Sequence, residues 1–171
     1  MKSVRATLIM LPLAAGLALA AAGSAAALGS AGGAVRIDGD VAHRLTISFA
    51  RLAALPQVTV HVSYQSPAGT TTHTERGPLL ASVIALAGPR FSSATQNDSL
   101  RFYVEATASD GYGALVAYDE VRPLIGRSRV ILSLDQDGRS LETVGPRLIV
   151  PGDAGGERNV DYVIRLTVGH G

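Results

Sequence analysis

The sequence predicts a strand-rich α+β domain, and three observations support that class. Segments with an apolar side chain at every second residue outnumber segments with helical spacing. The strand-like segments come in runs with one or two short helices between them, unlike the regular alternation of a doubly wound parallel sheet. No repeat with a period of about 20 to 50 residues occurs, which excludes solenoids and propellers.

The first 27 residues have the three regions of a secretory signal. Lys2 and Arg5 precede an apolar run from Leu8 to Ala22, and small residues up to Ala27 follow. We expect cleavage after Ala27 and a periplasmic or secreted location, with no membrane span left after cleavage. The alternative is a retained membrane anchor, because the apolar stretch is nearly long enough to span a bilayer, although Pro12 interrupts it.

Composition limits what the remaining chain can do. Residues 28–34 are a flexible leader of small residues, and residues 35–171 suffice for one domain. Removal of the signal takes away two of the 15 basic residues and none of the 14 acidic ones, so no basic surface is expected and nucleic-acid binding is excluded. The absence of cysteine excludes disulfides and thiolate chemistry. Sequence motifs of common hydrolases and nucleotide-binding proteins are also absent.

The domain is predicted to begin with a short strand and a short helix. Val35 and Ile37 alternate with polar residues, and the sequence Asp38-Gly39-Asp40 after them is typical of a turn. In 48–55 the apolar residues recur at helical spacing, between a serine that can cap the helix and a proline that ends it.

A long hairpin and a second helix are predicted next. Residues 57–64 form the clearest strand, since the apolar residues alternate strictly with polar ones. A turn over 66–69 then allows the threonine-rich segment 70–75 to return as its partner. Residues 78–87 have helical spacing, with Pro78 suited to the first helical position and a Gly-Pro pair at the far end.

The second half of the domain is predicted to consist of strands joined by turns. A polar loop over 91–98 comes first, 110–113 makes a tight connection with two glycines, and 135–138 makes a hairpin turn. The strands share alternating or continuously apolar character and are 100–108, 114–118, 130–134, 147–150 and 162–168.

Two groups of residues resemble metal ligands. His43, His61 and His73 are potential ligands, and the last two could face each other across the predicted hairpin. No carboxylate or further histidine lies at ligand spacing beside them, so surface histidines are the preferred interpretation. Asp135-Gln136-Asp137-Gly138 resembles the start of a calcium loop, but its glycine comes too early, and a two-residue Asp-Gly turn explains it better.

A tyrosine and two arginines are the candidates for ligand contact. Tyr112 follows Asp110-Gly111 and precedes a second glycine, so its hydroxyl is accessible to a small molecule. Arg147 and Arg158 flank the glycine-rich loop 151–156, where backbone and guanidinium groups can approach an anion together. The alternative for the same pattern is an exposed loop with salt-bridged arginines.

Four segments share their order and spacing with a known domain family. They are Arg76-Gly77-Pro78-Leu79-Leu80, Ser109-Asp110-Gly111-Tyr112-Gly113, Asp137-Gly138-Arg139-Ser140-Leu141 and Gly145-Pro146-Arg147-Leu148-Ile149-Val150-Pro151-Gly152. On these segments, residues 35–168 resemble the oxidoreductase molybdopterin-binding domain, the fold of sulfite oxidases and their bacterial relatives. The resemblance implies a mixed α+β domain with a barrel-like core and a few short helices.

The resemblance also implies a site. By position, Tyr112 matches the active-site tyrosine beside the substrate, and Arg158 matches an arginine that lines the pterin-phosphate pocket. Arg147 matches the arginine before the strand end, and Asp110 and Gly111 are further candidate cofactor-binding positions.

Three features depart from the family pattern. The family's catalytic members hold molybdenum through a cysteine near the end of strand 57–64, where this chain has Val62-Ser63-Tyr64, and a hydroxyl is a poor substitute for a soft thiolate. Asp161 stands where a lysine is expected near the cofactor phosphate. Lys2-Ser3-Val4-Arg5 lacks the twin arginines with which exported molybdenum enzymes usually travel.

The preferred hypothesis is therefore an exported sulfite-oxidase-like protein without molybdenum catalysis that acts as a binding or accessory module. It predicts no cofactor, a solvent-lined cleft beside Tyr112, and a small anionic ligand or a periplasmic protein as partner. One alternative is a molybdopterin-dependent oxidoreductase that uses the pocket near Tyr112 and Arg158. A second is a purely structural exported domain with that cleft filled by side chains.

Overall fold

A computed structural model describes residues 33–171, and the predicted signal lies outside this range. Strands dominate, with three short α-helices and one 3₁₀ helix over Asp98–Arg101 in the described range. In chain order the elements are β1 Val35–Gly39, β2 Leu45–Ile47, α1 Phe49–Ala53, β3 Gln57–Ser66, β4 Gly69–Pro78, α2 Leu80–Ala85, β5 Phe102–Ala108, β6 Gly113–Ala117, α3 Tyr118–Val121, β7 Ile131–Ser133, β8 Asp135–Gln136, β9 Arg139–Ser140, β10 Arg147–Ile149 and β11 Val163–His170.

Three sheets are formed by these strands. The largest has the order β2-β1-β11-β5-β6, the second has the order β3-β4-β8-β9, and β10 pairs with β7. The pairing of β1 with β11 is parallel, so the first and last strands of the domain lie side by side, and the other pairs are antiparallel. No helix in residues 33–171 is long and apolar enough to cross a membrane.

Two groups of buried apolar side chains stabilise this arrangement. The larger group joins the inner face of the five-stranded sheet to α1 and α2. The smaller group comprises Val60, Val62, Ile131 and Ile149, and it packs the β3–β4 hairpin against β7 and β10. Burial of each such side chain contributes about 1.5–3 kcal/mol, which makes packing the main source of stability in a chain without disulfides.

The strand-rich α+β prediction is confirmed, and both predicted hairpins are present. β3 pairs with β4 along its whole length, from Gln57 opposite Pro78 to Ser66 opposite Gly69. The two-residue turn between β8 and β9 consists of Asp137 and Gly138, with φ of 52° and 79°. Both values are left-handed, as a type I′ hairpin turn requires, and this explains the Asp-Gly sequence.

Several predicted strand and helix boundaries are wrong, because pairing with a neighbouring strand extends a strand beyond the residues that the local pattern predicts. Pro78 ends β4 and does not begin a helix, since it pairs with Gln57 and α2 starts only at Leu80. Gly77 fixes this extension, because a Cβ there would collide with the carbonyl oxygen of Leu132. Asp38 lies within β1 and is buried, so the turn after this strand begins later than predicted.

Candidate functional site

A polar groove lies at the inner side of β4, beside the β8–β9 hairpin. It consists of two cavities of about 300 and 560 Å³. The groove is defined by the lining residues of these two cavities, namely His73, Gln136, Asp137, Arg139, Ser140, Leu141, Thr143, Val144, Arg147, Asp161 and Tyr162. Cavities of this size suit small molecules.

Glu75 is the buried centre of the hydrogen bonds beside the groove. Alternation along β4 turns His73 and Glu75 to the same side of the strand. One carboxylate oxygen of Glu75 accepts a hydrogen bond from the Ser133 hydroxyl (2.7 Å), and the other accepts from the Gln136 amide (2.9 Å). Burial raises the pKa of Glu75 above its ordinary value, although Ser133 and the charge of Arg147 act in the opposite direction.

Arg147 links Glu75 to the groove. Its Nη1 lies 3.3 Å from Oε1 of Glu75, and its Nε donates to the carboxylate of Asp161. Only 14% of the arginine side chain is exposed. The guanidinium thus stands between two carboxylates, and its charge is already balanced by the protein.

His73 is fixed by the turn between β8 and β9. Its Nδ1 lies 2.7 Å from Oδ2 of Asp137, and the other oxygen of Asp137 accepts from the backbone N–H of Thr74 at 2.8 Å. These bonds lower the pKa of Asp137, the bond from Thr74 contributing most. Because Nδ1 is engaged, Nε2 is the ring nitrogen left for a ligand.

His61 and His73 do not face each other across the hairpin. His73 lies on the inner side of β4, whereas the exposed ring of His61 lies on the outer face of β3 and contacts the hydroxyl of Thr74 at 3.1 Å. Over residues 33–171, no group of three or more histidine and acidic side chains is placed to hold a metal ion.

Tyr112 is not among the residues that line the groove. Its backbone N–H donates to Asp110 Oδ1 at 2.9 Å, and Gly111, with φ of 89°, makes the turn between them. The hydroxyl donates to the carbonyl oxygen of Glu157, and the side chain is 48% exposed. Tyr112 therefore holds the 151–158 loop through its hydroxyl.

Arg158, next to Glu157, is clamped by two carboxylates. Its Nε and Nη2 donate to the two oxygens of Asp153 at 2.7 and 2.6 Å, and Nη1 lies 3.5 Å from Glu120. The bonds to Asp153 raise the pKa of Arg158 above its ordinary value. Tyr112 thus contacts the loop that carries Arg158. Arg147 is not part of this contact and lines the groove.

The fold and the site define a strand-rich α+β domain with a polar groove and internally paired arginines. No protein-family model and no curated protein sequence matches the chain. Among solved structures, the fold is similar to that of the sulfane dehydrogenase SoxCD from Paracoccus pantotrophus, with a TM-score of 0.65 and 20% sequence identity. The similarity covers 80% of this chain and only 38% of that chain. It confirms the predicted fold class, the sulfite-oxidase type, at the level of fold alone.

The positions that the resemblance assigns to the molybdenum ligand and to the cofactor-binding arginines depart from the expected pattern. Val62 lies in the part of β3 where a thiolate ligand is expected, and its side chain is buried against other apolar groups. Ser63 points to the opposite, exposed face, where its hydroxyl contacts Thr72 at 3.4 Å. Neither position supplies a soft anionic donor. Arg147 and Arg158, the two arginines predicted to bind the cofactor, are paired with carboxylates. One of these carboxylates is Asp161, which stands at the position expected for a lysine.

Sequence reasoning missed the part played by Glu75, Asp137 and Glu120. One signal was available for Glu75, because the hairpin predicted at 57–75 places it on the inner, buried side of its strand, where an acidic residue needs a partner. The partners Arg147 and Ser133 come from strands more than 50 residues away, and no local pattern indicates them.

Proposed function

We propose that this protein is an exported sulfite-oxidase-like domain that acts as a binding or accessory module without molybdenum catalysis. One observation carries the proposal: Arg147 and Arg158 are each paired with two carboxylates of the same chain. An anionic cofactor phosphate would have to displace these internal partners, at the cost of leaving buried or half-buried carboxylates uncompensated. The N-terminal signal pattern supports export.

The groove is the binding surface in this proposal. His73 offers Nε2, and Gln136 and Arg147 add polar groups from the neighbouring strands. Leu141 and Val144 supply an apolar wall on the same groove. The ligand that suits this lining is a small molecule with a hydrogen-bonding end and an apolar end. Its polar end can bond to the polar side chains while its apolar end packs against Leu141 and Val144.

The first experiment is elemental analysis, with an absorption spectrum, of protein purified from the compartment to which its own cell delivers it. We expect no stoichiometric molybdenum and no pterin absorption. Molybdenum at one atom per chain would overturn the proposal.

The second experiment tests the groove. Small molecules that co-purify with the native protein are released by denaturation, identified by mass spectrometry and added back to ligand-free protein. We expect His73→Ala to weaken rebinding by about tenfold, as expected for the loss of one good hydrogen bond. His61→Ala, on the outer face of the same hairpin, is the matched control and should bind as wild type does. Equal binding by both variants would exclude the groove.

A further inference from the structure

The segment that follows α3 forms a protruding loop with an apolar tip. Residues 122–129, the tip loop, connect α3 to the strand β7. Leu124 is 86% exposed and its neighbour Ile125 is 50% exposed. Neither side chain belongs to the buried apolar groups that the structure describes in residues 33–171.

The tip loop has a defined conformation that its own backbone maintains. The N–H groups of Ile125 and Arg127 donate to the carbonyl of Arg122 at 3.1 Å, and those of Gly126 and Ser128 donate to carbonyls of α3 at 2.9 and 3.0 Å. A Cβ at Gly126 would collide with the backbone of Glu120, so only glycine permits this close approach.

The charged side chains within the tip loop itself are all basic. Arg127 and Arg129 are exposed, and neither forms a salt bridge within residues 33–171. Arg122 is already engaged by Asp119 at 2.8 Å. No acidic residue occurs from Val121 to Leu134. An anionic surface is thus the electrostatic complement of the loop.

We propose that the tip loop docks on an anionic lipid bilayer, with Leu124 and Ile125 inserted at the interface and Arg127 and Arg129 on lipid phosphates. A bilayer fits these features better than a protein does. A convex tip of two side chains is far smaller than the roughly 800 Å² per partner that a stable protein interface buries. A bilayer requires no complementary binding pocket. An apolar anchor together with basic residues is the combination that binds peripheral proteins to membranes. This inference does not depend on the proposed function.

The first test measures co-sedimentation of the full chain with phosphatidylcholine vesicles that do or do not contain phosphatidylglycerol. We expect stronger binding with phosphatidylglycerol than without it, and weaker binding to the anionic vesicles at higher salt. Arg127→Gln and Arg129→Gln should each reduce the partition coefficient about fivefold, and Leu124→Ser with Ile125→Ser about tenfold or more. Leu115→Ser, at a leucine on β6 that is 55% exposed, is the control and should bind as wild type does. All variants share the same N-terminal segment, so a difference in binding between them reports on the substituted residues.

A fluorophore attached at the tip distinguishes insertion of the tip from any other contact of the protein with the membrane. Because the chain has no cysteine, Leu124→Cys and Leu115→Cys each give a single site for an environment-sensitive fluorophore. We expect a blue shift with anionic vesicles at 124 only. Absence of vesicle binding, binding unchanged by the Leu124 and Ile125 substitutions, or a shift only when a protein partner is added would each overturn the proposal.

Discussion

Arg147 and Glu75, 72 residues apart in the sequence, meet beneath the groove with Nη1 of the arginine 3.3 Å from Oε1 of the glutamate. The pair ties β10 to β4, two strands that belong to different sheets. Ser133 and Gln136 complete the hydrogen bonds of the glutamate. Because Asp161 accepts from a further donor of Arg147, this guanidinium is bonded to two carboxylates of the same chain.

Glu75→Ala should destabilise the protein by about 3 kcal/mol, because Arg147 then loses its buried partner. Urea denaturation measures this difference. The control is Thr72→Ala, on the exposed face of the same strand, which should change stability by less than about 0.5 kcal/mol. Equal effects of the two substitutions would contradict the buried network.

Glu75→Gln tests the ionisation of the same residue. The pKa of Glu75 is raised by burial, so its contribution to stability is complete below the ordinary value of 4.5 and is lost as the pH rises through the folded-state pKa. The glutamine variant cannot show this loss. The unfolding free energy of the variant should therefore increase relative to that of wild type as the pH rises above 4.5. Parallel pH curves would show that the pKa of Glu75 is not raised.

Asp38→Asn should weaken the parallel pairing of β1 with β11. Asp38 accepts two hydrogen bonds from Arg165, at 3.0 and 2.8 Å, and pairs with Arg36 at 2.7 Å. Although burial alone raises its pKa, these two arginines together lower it. We expect a loss of about 1–2 kcal/mol at neutral pH, since both arginines are about half exposed.

The effect of Asp38→Asn should diminish in acid. A lowered pKa gives stability that is present above the ordinary value of 3.8 and is lost as the pH falls through the folded-state pKa. Denaturation curves of wild type and variant should therefore converge below pH 3.8. A constant difference at all pH values would assign the effect to packing.

Tyr112→Phe should release the 151–158 loop without affecting the groove. The substitution removes the hydroxyl that donates to the carbonyl of Glu157, at a cost of about 1 kcal/mol. Amide hydrogen exchange should become faster in this loop, while ligand rebinding at the groove stays unchanged. Loss of rebinding with no change in exchange would instead place Tyr112 in the binding site.

Asp153→Asn should expose the charge of Arg158. In wild type the guanidinium is bonded to both oxygens of Asp153, so added phosphate should give no stabilisation through Arg158. The asparagine variant removes the charge that balances it, and phosphate should then raise the melting temperature. Glu142→Gln, at an exposed carboxylate outside this loop, is the control. Phosphate stabilisation of wild type that Arg158→Gln abolishes would contradict the clamped arginine.

Much of the fold could be predicted because it depends on neighbours along the chain. Strict alternation over 57–64 determines which side of β3 is buried, and Val60 and Val62 do lie in the core. The Asp137-Gly138 turn could be predicted for the same reason, since its left-handed backbone angles favour those residue types. The prediction for Pro78 is wrong because its position in β4 depends on pairing with Gln57, which outweighs the local helical pattern.

The strand-rich class, the lack of a cysteine thiolate for metal ligation and the choice of Tyr112, Arg147 and Arg158 as candidate ligand contacts all follow from the sequence alone. How those three side chains are engaged depends on contacts that exist only after folding. Hydrogen bonds and ion pairs act over a few ångströms, so the charge available at Arg147 depends on Glu75, and that at Arg158 depends partly on Glu120. The residues in each of these pairs are far apart in the chain, and no local pattern indicates that they meet.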